Sequence, residues 1–151
     1  MERDPVAIDC DGSLSVTRFP PLNPSIPLPR WLYTLLFPLL VYLIFADSNG
    51  KCKEVVKALK ASGKEIIVVS ARPESMKKIT EAWLEWKGIP YDRVYCIGPG
   101  KGAKRRKLEV LKREGVRLYI DDEHKNKGFF TTNGIIVLTP KEFVKMARGG
   151  T

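Results

Sequence analysis

The chain of 151 residues has no glutamine, one histidine and three cysteines. The missing glutamine, beside many Lys, Glu and Arg, suits a heat-adapted source. Cys10, Cys52 and Cys96 are odd in number and too widely spaced for a Cys-x-x-Cys pair, so neither a disulfide framework nor a structural zinc site is indicated, and a reducing cytoplasm is the simplest setting. The first residues are unlike a secretory signal too: Met1-Glu2-Arg3-Asp4-Pro5 carries both charge signs and runs straight into an apolar stretch. No apolar run is long enough to span a bilayer. Trp31 to Phe45 is fifteen residues, about 22 Å as a helix against a hydrocarbon core of ~30 Å, and Pro38 would kink it.

Several nucleotide and phosphate motifs are missing as well. Gly98-Pro99-Gly100-Lys101-Gly102 lacks the Gly-Lys-Ser/Thr ending of a P-loop and reads as a flexible loop. Neither Cys10 nor Cys96 is followed by arginine at the spacing of a cysteine phosphatase. Cys96-Ile97-Gly98 has no acid to serve as the acceptor of a receiver domain.

What is present fits one folded domain over 1–151, with 44% apolar and 28% charged residues. The net charge of +9 attracts phosphate esters, nucleic acid or anionic lipid without choosing among them. Apolar runs at Val6 to Asp9, Glu65 to Ser70, Arg93 to Ile97, Leu118 to Ile120 and Gly134 to Leu138 predict strands. Between them Val55, Val56, Leu59, then Ile79, Ala82, Trp83, Trp86, then Leu108, Leu111 recur at helical spacing. Gly63, Gly88 and Gly115 follow these helices where a left-handed cap favours glycine. Strands alternating with helices predict an α/β fold, a Rossmann-like parallel sheet flanked by helices. In such sheets ligands bind beyond the carboxyl ends of the strands. There the sequence places Asp9 and Asp11, Ser70 and Arg72, Gly98 to Gly102, and Asp121 with Asp122.

Asp9 and Asp11, two apart on an extended chain, can face one point. With Asp121 and Asp122 they make four acids, which repel unless a cation sits among them; hard oxygen ligands suit Mg²⁺. Lys104 to Lys107 begin a helix just before the second pair, whose N-terminus favours an anion. Asp9 and Asp11 alone also read as a capped turn, Ser70 as a helix cap before Arg72-Pro73-Glu74, and the basic cluster as a solvated helix start. His124 reads as a surface loop residue near the Asp pair, with a substrate contact as the alternative, and Cys10 should point away from Asp9 into the core.

In order along the chain, Val6-Ala7-Ile8-Asp9-Cys10-Asp11-Gly12-Ser13, Ile66 to Ser70 with Ala71-Arg72-Pro73-Glu74, Lys107, and Leu118-Tyr119-Ile120-Asp121-Asp122 resemble the four motifs of the haloacid dehalogenase superfamily. Ser13 stands where threonine is commoner. The resemblance implies a phosphatase that hydrolyses phosphate monoesters through an aspartyl-phosphate on Asp9, with Asp11 as general acid and base and Lys107 as the catalytic lysine, Lys104 being second by spacing. It implies phosphate contacts from Ser70, Ala71, Gly12 and Lys104, and a Mg²⁺ held by Asp9, Asp11, Asp122 and Asp121. The alternative is a non-catalytic module of the same fold, associated with nucleic acid or a membrane surface. Intact acids disfavour it, and the basic cluster lacks the interleaved aromatics of a nucleic-acid patch.

The segment 15–46 interrupts the alternation between the first strand and the first core helix. Its apolar half, Trp31 to Phe45, fits a lid over the site, a homodimer contact, or a peripheral membrane anchor on a cytoplasmic protein. Its position after the first motif favours the lid, a small helical cap that would select the small phosphorylated substrate.

Overall fold

The computed structural model describes residues 4–10, 15–16, 31, 47–48, 50–122 and 124–149. Asp11, Gly12 and nearly all of the 15–46 insertion, with the lid, dimer and anchor readings placed on it, lie outside them. Strand β1 is Val6–Asp9, and all four of its side chains are buried. That burial pattern marks a central strand covered on both faces. Two short strands follow, β2 (Ser15–Val16) and β3 (Asp47–Ser48), which pair antiparallel and bring the two ends of the insertion together. The core then continues with helix α1 (Gly50–Ala61), strand β4 (Ile66–Ser70), a 3₁₀ turn at Glu74–Met76, helix α2 (Lys77–Trp86) and strand β5 (Arg93–Cys96). Helix α3 (Ala103–Arg113), strand β6 (Leu118–Ile120), helix α4 (His124–Thr132), strand β7 (Ile136–Leu138) and helix α5 (Pro140–Ala147) complete it.

The main sheet has the order β5-β4-β1-β6-β7, and every neighbouring pair is parallel. Period-two alternation divides its apolar residues between two layers. Val6, Ile8 and Cys10 pack with Cys52, Val55 and Val56 of α1, Trp83 and Leu84 of α2, and Phe143 and Val144 of α5. Ala7, Ile67, Val69, Tyr119 and Val137 pack with Val110 and Leu111 of α3 and Phe130 of α4. Helices therefore cover both faces, as the alternation predicts. Cys10 lies in the first layer, on the opposite side from Ala7, as expected of it.

Gly63, Gly88 and Gly115 take φ of +94°, +70° and +71°, the left-handed turn in which a helix ends most easily on glycine. His124 departs from its expected loop: it is the first residue of α4. Ser70 caps no helix either, because the 3₁₀ turn has Pro73 as its cap, without a side-chain bond. Among the described residues no helix is long and apolar enough to cross a membrane.

Candidate active site

Pairing of β1 with β6 puts Ile8 opposite Ile120, so each strand delivers an acid one step further, at the carboxyl edge. Asp9 and Asp121 are 5% and 2% exposed, whereas Asp122, beyond the strand, is exposed. The Asp121 amide donates to the Leu138 carbonyl of β7 at 3.0 Å, which fixes the backbone where the acids converge. Carboxylate oxygens of Asp9, Asp121 and Asp122 all lie within 4.8 Å of one another. Three acids this close repel, so the arrangement asks for positive charge between them.

One such charge comes from α3. Lys107 is buried, and its Nζ donates to Asp9 Oδ1 at 3.2 Å. Burial by itself would lower the lysine pKa, but Asp9, Tyr119 and Asp121 outweigh it and hold the ammonium well above its ordinary value. Lys104 occupies the preceding turn of the same helix face, where it is exposed, with Nζ 5.0 Å from the centre of the Phe129 ring. Of the two lysines, the fold brings Lys107 to Asp9. Lys101 is exposed.

The loop that launches α3 is held rather than flexible. The Arg106 guanidinium donates to the carbonyls of Ile97, Gly98, Pro99 and Lys101 at 2.7 to 3.1 Å. Sequence reading misses this because a bond of one side chain to four carbonyls leaves no periodic trace. The loop sets the start of α3, and with it the depth at which Lys107 enters.

Ser70 ends β4, fully buried, and its Oγ accepts the Arg72 amide at 3.1 Å. The amides of Ile97 and Gly98 donate to the carbonyls of Ser70 and Arg72, each at 2.9 Å, tying this turn to the end of β5. Ala71 lies half-buried between them. Arg72 is 1% exposed and donates from its guanidinium to Thr80 Oγ1 at 3.1 Å, while Thr80 Oγ1 donates to the Met76 carbonyl at 2.8 Å. Arg72 and Thr80 thus brace the turn that presents Ser70. Nothing in spacing alone marks Thr80, which reads as an ordinary helix residue.

The acid trio fits a small hard cation. An octahedral Mg²⁺ with oxygens at about 2.0–2.1 Å brings its ligand atoms to roughly 3–4 Å of each other, so a modest inward movement of the three carboxylates would enclose one. An all-oxygen set also disfavours the softer transition metals.

No protein-family model matches the chain. A curated protein of Halalkalibacterium halodurans named "Putative nucleotidase" is 26% identical over 62 residues, 41% of this chain and 29% of that protein. Among solved structures, a chain of the Pnkp1/Rnl/Hen1 RNA repair complex superposes with a TM-score of 0.65 at 20% identity, over 92% of this chain and 44% of that one. This chain therefore spans less than half the length of either. A Had-superfamily hydrolase from Ehrlichia chaffeensis superposes with a TM-score of 0.57 at 14% identity, over 99% of both chains. A haloacid dehalogenase-like family hydrolase from Streptococcus pneumoniae gives 0.56 at 13%, over 91% of this chain and 84% of that one. With a five-stranded parallel sheet that gathers Asp9, Lys107, Asp121 and Asp122 at one edge, and with these neighbours, the chain has the fold of the haloacid dehalogenase superfamily.

Proposed function

We propose that the protein is a Mg²⁺-dependent phosphatase that hydrolyses small phosphate monoesters through an aspartyl-phosphate on Asp9. The observation that carries this reading is the Asp9 carboxylate, buried, bonded to Lys107 at 3.2 Å and grouped with Asp121 and Asp122. In the first step a carboxylate oxygen of Asp9 bonds to phosphorus as the ester P–O bond breaks, and the departing alkoxide takes a proton from Asp11. In the second, water attacks phosphorus, Asp11 accepts its proton, and the Asp9–phosphorus bond breaks to release orthophosphate. The Asp11 role rests on its place two residues after Asp9 in the motif.

Lys107 holds one oxygen of Asp9 and offers its remaining N–H groups to the phosphoryl oxygens. Ser70, Ala71, Gly12 and Lys104 supply further phosphate contacts. Asp9, Asp122, Asp121 and Asp11 hold the Mg²⁺, which supplies charge neutralisation between acids and phosphate. The 15–46 insertion serves as the cap that selects the leaving group. Three buried cysteines, none of them in a disulfide, fit a reducing cytoplasm.

The test is hydrolysis of a panel of phosphate monoesters with and without Mg²⁺, comparing wild type with Asp9→Asn. Mg²⁺-dependent release of orthophosphate, reduced at least a thousandfold or so in the variant, is expected for loss of a nucleophile. Equal activity in both proteins, or none on any ester, would leave the non-catalytic binding module as the better account.

A further inference from the structure

Tyr119 carries a buried hydroxyl that the packing does not require. Its ring lies in the core, edge-on to Phe130 at 5.2 Å between centroids, and the side chain is 0% exposed. The hydroxyl oxygen is buried without a hydrogen-bond partner among the described residues. A polar group left in that state forfeits the hydration it had in the unfolded chain and gains nothing in return. Phenylalanine would fill the same space without that cost.

The register shows what the hydroxyl faces. Tyr119 pairs with Ala7, and alternate residues of an extended chain share a side, so Tyr119 of β6 and Asp121 just beyond it lie on the same face as Ala7 and Asp9 of β1. Helix α3 covers that face. Its Lys107 Nζ sits 6.0 Å from the Tyr119 ring centre and 3.2 Å from Asp9 Oδ1. The phenol therefore stands beside the Lys107–Asp9 pair, on the core side. An ammonium has three donors that turn together about one bond, and a single carboxylate oxygen fixes only one of them.

We infer that Tyr119 is a positioning residue for Lys107: its hydroxyl oxygen accepts a second N–H of the ammonium as the site engages a phosphoryl group, and so fixes the direction of the third. The catalytic consequence rests on the phosphatase reading above; the hold on Lys107 does not. A core phenol at this point explains an otherwise wasteful hydroxyl and leaves Ser70 and the acids their own tasks.

The test is Tyr119→Phe in the full chain, with two readouts. For hydrolysis of p-nitrophenyl phosphate with Mg²⁺, kcat should fall about tenfold with KM within about twofold, the loss of one hydrogen bond to a charged group that matters most in the transition state. Independently, the Lys107 ammonium should give a slowly exchanging ¹H–¹⁵N signal, assigned by its loss in Lys107→Arg, that exchanges faster with solvent in Tyr119→Phe. Unchanged thermal stability together with both changes separates positioning from packing. Unchanged ammonium exchange overturns the inference whatever the activity, and so does an unchanged kcat in an active wild type. A wild type that hydrolyses no ester but shows the exchange difference would sink the phosphatase reading and keep the Tyr119–Lys107 hold.

Discussion

Lys107→Met removes the ammonium from a buried ion pair and leaves three clustered carboxylates with less positive charge among them. At the 3.2 Å separation and an effective dielectric of about 20, the Coulomb attraction lost is about 5 kcal/mol. Desolvation of both groups offsets part of that in the intact pair, but removing one partner leaves the other's penalty standing, and such breaks cost about 3–5 kcal/mol. A chain of this size loses roughly 2–4 °C of Tm per kcal/mol, so melting should fall by roughly 6–20 °C. Because the folded ammonium is held above its ordinary pKa, its contribution is fully present below the unfolded lysine value near ~10.4 and lost only as pH rises through the folded value. Neutral pH therefore measures it in full. The assay is thermal unfolding by circular dichroism with chelator present, on wild type, Lys107→Met, and Lys107→Met combined with Asp9→Asn. The double variant should recover most of the loss, since it removes the stranded carboxylate. A single variant within 2 °C or so of wild type, or a double variant no better than the single, would refute the claim that this pair is energetically coupled.

Two further changes probe the loop that launches α3 and the opposite end of the sheet. Arg106→Met withdraws the donor to four loop carbonyls; amide hydrogen exchange should rise across Gly98 to Lys104 while β4 and β6 stay protected, and an unchanged loop would show that the guanidinium holds nothing. Asp92 accepts from Lys60 and from the Ile66 amide, the latter at 2.7 Å. Partial burial would raise its pKa, but Lys60 and that amide prevail and lower it. A lowered carboxylate stabilises above its unfolded value near ~3.9, and that contribution is lost as pH falls through the folded value. Asp92→Asn should therefore destabilise by roughly 0.5 kcal/mol, reduced by the solvent that reaches this exposed pair, in urea unfolding at pH 6 and by much less near pH 3; an equal deficit at both pH values would contradict the assignment.

Much of the site's frame is legible because its signals are local. A strand buried on both faces must be a continuous apolar run, and Val6 to Asp9 and Leu118 to Ile120 are such runs, each followed or ended by an acid. Glycine after a helix marks its end for steric reasons that need no tertiary context, as at Gly88. Helix α4 is less visible: His124 to Thr132 holds Gly128 and a mixed polar run, so its amphipathic stripe is faint, with Phe129 and Phe130 toward the core. The start of α5 is marked, since Thr139 Oγ1 accepts the Glu142 amide at 3.2 Å with Pro140 in the first turn. Lys104 and Lys107 share a helix face, so spacing ranks Lys107 first but does not settle between them. Depth does: the inner one meets Asp9 and the outer one meets Phe129 and solvent. The Arg72–Thr80 brace and the Tyr119 hydroxyl arise from packing across elements and have no one-dimensional signature.

The charge of the chain and the charge of the site have opposite signs, and the opposition has a consequence. Over the Debye length of about 8 Å at physiological salt, a net +9 draws anions toward the surface. At the sheet edge, however, an arriving phosphate meets, among the described residues, Asp9, Asp121 and Asp122 against the ammonium of Lys107. The last few ångströms are therefore repulsive to the anion that the rest of the molecule attracts. A protein that only bound phosphate would gain from replacing those acids, as more lysines or backbone amides would serve it better. Acids kept in the path of an anion make physical sense when one of them must touch phosphorus and the others hold the cation that cancels their charge. On the proposed phosphatase reading that cost in binding is tolerable, because the reacting carboxylate and its cation would act on the transition state, in which interactions absent from the ground state lower the barrier.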